Sequence, residues 1–228
     1  IDLAIKRYQK ALTLDPDNAD FYTALGRAYA ELDKLDLAVS HYRKALQISP
    51  DRSQLWFWVG SAQAGMGRTE EAVDSFEKAV KINGLNAHVR YSLGRCYEEL
   101  GLFDRAAEEL RRATELDPNQ QNYHFALGGI YESLKLDELA AGRYAKATEL
   151  YPYWGQAFFR LGLTRRRLGK DDAAREAFRK AAELEPDKAH YHYEVASVER
   201  DLGARRNALT ALRQAVDLDS GNLAYVLE

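Results

Sequence analysis

Five histidines, one cysteine and several carboxylate pairs are the residues here with the means for metal binding, nucleophilic attack or acid–base work. Their spacing argues against all three. His190 and His192 sit two apart, on different faces of a helix, and cannot share a metal as an i, i+4 pair does. His41, His88 and His124 have no cysteine or carboxylate at ligand spacing. Cys96 falls where sister segments carry Ala28 and Ala62, so it reads as a small core residue rather than a nucleophile. Gly65-Met66-Gly67 has no strand before it and reads as a turn, not a phosphate loop. The pairs Glu98-Glu99 and Glu108-Glu109 are solvated helix positions. No catalytic constellation, cofactor motif or metal site emerges.

What remains is surface recognition, and the composition bounds it. The 228 residues carry a net charge of −3, so bulk electrostatics do not point to nucleic acid. An apolar fraction of 46% suffices for a core, and no run approaches the length of a membrane span. A single cysteine excludes an internal disulfide. The chain opens at Ile1 rather than methionine, which reads as a piece of something longer.

The elements that position any recognition surface repeat every 34 residues. Ala38, Ala72, Ala106, Ala140, Ala174 and Ala208 form one column. Ala45, Ala79, Ala113, Ala147, Ala181 and Ala215 form another. Gly26, Gly60, Gly94, Gly128 and Gly162 keep the same register, with Ala196 closing that column. Pro16, Pro50, Pro118, Pro152 and Pro186 do likewise, Gly84 and Ser220 filling the gaps. Within one period, Tyr22, Leu25, Gly26 and Tyr29 fall at i, i+3, i+4 and i+7, the stripe of a buried helix face. After a turn at Asp33-Lys34, Ala38, Tyr42 and Ala45 define a second helix, which Pro50 ends. Two helices this short cannot bury their apolar faces alone, so each pair needs a copy of itself on either side.

Trp56, Val59 and Gly60, then Ala72, Phe76 and Ala79, follow the pattern W-x2-L-G-x2-Y, A-x3-F, P. So do Leu93, Gly94, Tyr97 and Ala106, and then Leu127, Gly128, Tyr131, Ala140, Tyr144 and Pro152. The chain thereby resembles the tetratricopeptide repeat (TPR) family along its whole length. The resemblance implies an all-α, right-handed superhelical α-solenoid of stacked helix–turn–helix repeats. The expected organisation is a single array. Residues 1–18 form a second helix without its first, and full repeats cover 19–52, 53–86, 87–120, 121–154, 155–188 and 189–222. A further repeat starts at 223–228. Faces left open at the two ends offer a route to self-association.

Departures from the pattern carry more functional information than matches. The slot of Tyr29, Tyr97 and Tyr131 holds Gln63, Arg165 and Glu199 in the other repeats. Arg165 lies on the core stripe, where an unpaired charge is costly, and an Arg165–Glu199 ion pair across the repeat boundary is expected. Tyr151-Pro152-Tyr153-Trp154 replaces the polar turn seen at Asp117-Pro118-Asn119. Its rings either meet a partner or fold back over neighbouring helices.

In TPR proteins one side of the first helix lines a concave groove, and the resemblance carries that groove to this chain. The residue after the Trp56 slot reads Thr23, Phe57, Tyr91, Phe125, Phe159 and Tyr193, five of them aromatic. Arg27 and Arg95 flank this row, and Trp58 and Arg160 come one residue after Phe57 and Phe159. Arg166 and Arg167 share the stripe in the fifth repeat. Residues 155–188 hold nine Lys/Arg against six Asp/Glu (+3), whereas 87–120 hold five against seven (−2). A basic, aromatic stretch suits an acidic peptide.

The slots with which some TPR proteins clamp a chaperone's terminal carboxylate hold Thr23, Arg27, Trp58, His88 and Ser92, which is not that set. The asparagine ladder of the TPR-bearing sugar transferases is likewise replaced, by Ala24, Trp58, Ser92, Ala126, Arg160 and Glu194. The expected function is therefore a non-enzymatic scaffold that binds a peptide or protein segment in the groove. The alternative is the recognition arm of a larger enzyme, such as a glycosyltransferase, with its catalytic domain elsewhere. Single-stranded RNA binding would draw on the same rings but is disfavoured by net charge.

Overall fold

Small residues in register let helices approach closely, and helices are what the chain forms. The computed structural model describes residues 1–222, among which there are thirteen α-helices and no strand. The expected start of another repeat at 223–228 lies outside the described residues. By its internal contacts the chain divides into two compact units, Ile1–Pro118 and the segment from Asn119 onward.

The first unit contains α1 (Asp2–Leu14), α2 (Ala19–Glu31), α3 (Leu35–Ile48), α4 (Ser53–Gly65), α5 (Thr69–Ile82), α6 (Ala87–Glu99) and α7 (Phe103–Leu116). Here α2–α3, α4–α5 and α6–α7 are hairpins of a first and a second helix. Within this unit α3 also packs on α4 and α5 on α6, as α1 does on α2. The second unit repeats the scheme with α8 (Gln121–Ser133), α9 (Asp137–Leu150), α10 (Gly155–Arg167), α11 (Asp171–Leu184), α12 (Ala189–Asp201) and α13 (Arg205–Leu218).

The glycine column marks the crossing of the two helices in a hairpin. A Cβ at Gly60 would stand 2.8 Å from the Phe76 ring, and one at Gly162 would stand 2.6 Å from Phe178. Phe76, Tyr144 and Phe178 are accordingly buried in full. Each such ring contributes about 2 kcal/mol through burial. The turn inside each hairpin depends on a left-handed residue. Gly67, Gly101, Gly169 and Gly203 take φ between 68° and 78°, while Asp33 at 57° and Lys135 at 60° are left-handed without being glycine. The following amide closes the cap: Arg68 N–H donates to the Gln63 carbonyl at 2.9 Å, and Leu136 N–H to Tyr131 at 2.8 Å.

The slot of Tyr29, Gln63, Tyr97, Tyr131, Arg165 and Glu199 corrects one expectation. Arg165 and Glu199 do not pair. Glu199, 1% exposed, is held by Arg179 of α11, and the Arg165 guanidinium donates to the Ala173 carbonyl at 3.2 Å. The reason is register. In three repeats the slot side chain reaches the preceding second helix and meets the residue 20 positions earlier: Tyr29 meets Gln9, Tyr97 meets Glu77 and Glu199 meets Arg179. Arg165 finds Ala145 in that place, so its charge turns to a backbone carbonyl, and burial holds its pKa below the ordinary value.

Candidate functional site

The face of the first helices is built from rings that neither the hairpin core nor solvent takes completely. In the first unit Phe57 and Tyr91 are both half-buried. The Phe57 ring lies 5.8 Å from Phe76 and 5.2 Å from His88, whose ring stacks towards Tyr91 at 6.3 Å. Thr23 stands in the same slot on α2 and donates its hydroxyl to the Ala19 carbonyl instead of extending the row. Trp58 stacks on Tyr42 at 5.6 Å, and the exposed Arg27 guanidinium sits over the indole at 5.7 Å, a cation–π contact. Beyond Tyr91 a cleft of about 580 Å³ opens, with Ser61, Ala64, Ser92 and Arg95 on its walls and Cys96 at its floor. Arg95 is half-exposed and pairs with Glu98 at 2.7 Å.

In the second unit Phe125, Phe159 and Tyr193 hold the equivalent places, all half-buried. Trp154 folds back from its loop and stacks on Phe125 at 4.4 Å, whereas Tyr151 and Tyr153 stay exposed. The Phe159 ring is boxed by His190 at 5.1 Å and Tyr191 at 4.6 Å. Next to it lies a cleft of about 590 Å³ whose lining includes Trp154, Gln156, Arg160 and Lys188. Burial, with Lys188 nearby, lowers the pKa of His190, so its ring is a neutral aromatic wall at pH 7.

The arginines of this unit differ from what their sequence position implies. Arg166 donates to Glu194 at 2.9 Å and to Asp201 at 2.6 Å, tying α10 to α12. Arg167 reaches Glu132 and Asp137, and Arg160 approaches Glu132 at 3.5 Å, tying α10 back to α8 and α9. Glu132 is also the acceptor for the Tyr144 hydroxyl. The +3 charge of residues 155–188 is thus largely balanced by carboxylates on neighbouring helices. Arg160 remains the least engaged of the three.

Sequence reasoning missed the walls of these clefts. In the sequence His190 reads only as a metal ligand and His88 as a metal ligand or a clamp residue, whereas both act as flat side chains beside the rings. Cys96 is buried, and its thiol is pushed up to about 11 by burial and by Glu99, which removes it as a nucleophile at neutral pH. Among the described residues no group of three His, Cys, Asp or Glu side chains could hold a metal ion. No described helix is long and apolar enough to cross a membrane.

Stacked helical hairpins presenting a row of half-buried rings define an α-helical repeat protein. Family models for the tetratricopeptide repeat match residues 63–128 and 155–188, and a TPR repeat model matches 1–33 and 26–67. The chain belongs to the tetratricopeptide repeat family. No curated protein sequence matches it. Among solved structures it is similar to YrrB, described as a TPR protein with an unusual peptide-binding site. The two share 26% identity with a TM-score of 0.73, over 81% of this chain and 95% of YrrB. It is similar to MamA (AMB-1) at 28% identity and TM-score 0.68, over 75% of this chain and 93% of that one. PilF of Pseudomonas aeruginosa, at 20% identity and TM-score 0.72 over 93% and 96% of the two chains, shares the fold.

Proposed function

We propose that the protein is a non-enzymatic interaction scaffold that holds an extended peptide against its first helices. The observation that carries this reading is the row of half-buried rings beside open clefts, Phe57 and Tyr91 in one unit and Phe125, Phe159 and Tyr193 in the other. Rings fixed by neighbours on one side lose little entropy on contact, which makes them good anchors. YrrB, at 26% identity, is described as having a peptide-binding site, which agrees with the reading. Arg27, Trp58 and Arg95 complete the contact in the first unit, and Arg160 does so in the second. An acidic preference rests on Arg160 and Lys188, each 47% exposed, rather than on Arg166 and Arg167, whose ion pairs a ligand would have to displace.

Peptides selected on the wild-type chain from a random display library provide the test. Phe57→Ala/Tyr91→Ala and Phe125→Ala/Phe159→Ala should each weaken the binders of their own unit at least tenfold, with helicity unchanged by circular dichroism. Selected peptides that bind both double variants as tightly as the wild type would overturn the proposal.

A further inference from the structure

Elsewhere in the first unit, one hairpin lacks a pair of rings that its predecessor has. In α2–α3 the slot residue Tyr29 stacks on His41 with centroids 5.2 Å apart and planes within 8°. One period later the same two places hold Gln63 and Ser75. Two rings have become an amide and a hydroxyl. The smaller groups satisfy each other: Ser75 donates to Gln63 Oε1 at 2.6 Å, and Gln63 Nε2 donates to Glu71 at 2.9 Å. Both are buried, at 4% and 2% exposure, so they form a settled floor rather than a collapsed core. Above them is a cleft of about 390 Å³ between α3, α4 and α5, walled by Trp56 and Leu46.

We propose that this cleft receives a tyrosine side chain of a partner protein. The sister hairpins supply the template for the occupant. In α6–α7 the Tyr97 ring lies under the Arg105 guanidinium at 4.2 Å, and its hydroxyl donates to Glu77. At the mouth of the cleft Arg43 and Glu71 stand in the places of Glu77 and Arg105, 3.8 Å apart, with the charges exchanged. A phenol seated there accepts from Arg43 and donates to Glu71, so both capacities of its oxygen are used, which phenylalanine or leucine cannot match. The Trp56 indole walls the cleft, with the Lys78 ammonium over it at 4.5 Å, and the incoming ring packs against that wall in place of the missing His41 partner. None of these residues belongs to the ring row on the first helices, so the two proposals stand or fall separately.

The test uses N-acetyl-tyrosinamide as the probe and N-acetyl-leucinamide as the control, following the Trp56 indole N–H and the Gln63 side-chain amide by NMR. The expected result is a saturable shift with the tyrosine probe alone. Gln63→Tyr refills the slot from within and should abolish that shift while raising the melting temperature. Gln63→Tyr/Ser75→His, which writes the complete Tyr29–His41 pair into this hairpin, is the second variant and should also abolish it. No saturable shift, an equal response to the leucine control, or an undiminished shift in either folded variant would overturn the proposal.

Discussion

The two units use one repeat but hold themselves together differently. In the first, Arg27 rides on Trp58 of the next hairpin instead of meeting a carboxylate, and Arg95 pairs within its own helix. In the second, Arg160, Arg166 and Arg167 run between helices, and Glu132 gathers two of them with Tyr144 and Thr164. The buried slot shows the same division. Tyr29, Gln63 and Tyr97 are neutral, whereas in the second unit only Tyr131 is, and Arg165 and Glu199 bring charge into the equivalent place. Arg166 and Arg167 are therefore tied to neighbouring hairpins by short ion pairs, whereas Arg27, on a ring, and Arg160, with its single 3.5 Å ion pair, remain exposed.

The comparison breaks first at Glu199. Arg179→Met strands a fully buried carboxylate and should destabilise the second unit by about 3 kcal/mol, read by urea denaturation. Arg179→Met/Glu199→Leu should recover most of that loss; if it does not, the pair does more than neutralise itself. Next, Glu132→Gln should cost about 2 kcal/mol, since the carboxylate serves four donors. Glu77→Gln in the first unit, where Tyr97 and the half-exposed Arg105 are the partners, should cost about 1 kcal/mol. Hydrogen exchange resolved by unit should show the Glu132 effect shrinking in 1 M salt.

How far this division was legible in the sequence is shown by the residues themselves. The alanine and glycine columns were readable because each makes the same contact in every repeat, such as Gly60 on Phe76 and Gly162 on Phe178. The pairing of Glu199 was not, because its partner lies 20 residues back on another helix rather than one period away. The rings of the first-helix face were visible as a series. That Arg166 is consumed by Glu194 and Asp201 while Arg27 meets a ring was not, since a charge count does not know which carboxylate stands opposite.

Two smaller effects sharpen the contrast. Lys135 holds φ at 60° without being glycine, so Lys135→Gly should stabilise the second unit by about 1 kcal/mol. Asp33→Gly in the first should gain less, because aspartate tolerates that conformation better. Thermal unfolding of the two variants side by side measures the difference. The smallest effect is one of pH. His41 has its pKa lowered below 6.5 by burial, with Lys44 adding to it. The unfolded imidazole therefore takes up a proton at a pH where the folded one still refuses it. Stability is at its full value above 6.5 and declines as the pH falls below it. His41→Phe keeps the stack on Tyr29 and should flatten that decline in the first unit.

The 20-residue reach of the slot side chain bears on how such a chain is copied and shuffled. A duplication cut at the hairpin boundaries separates Tyr97 from Glu77 and Glu199 from Arg179, because each couple spans two hairpins. A cut inside the hairpin turn, taking a second helix together with the first helix that follows it, transfers each couple intact. Chimeras assembled from α5–α6 blocks should therefore tolerate new neighbours better than chimeras assembled from α4–α5 blocks, although both are one period long.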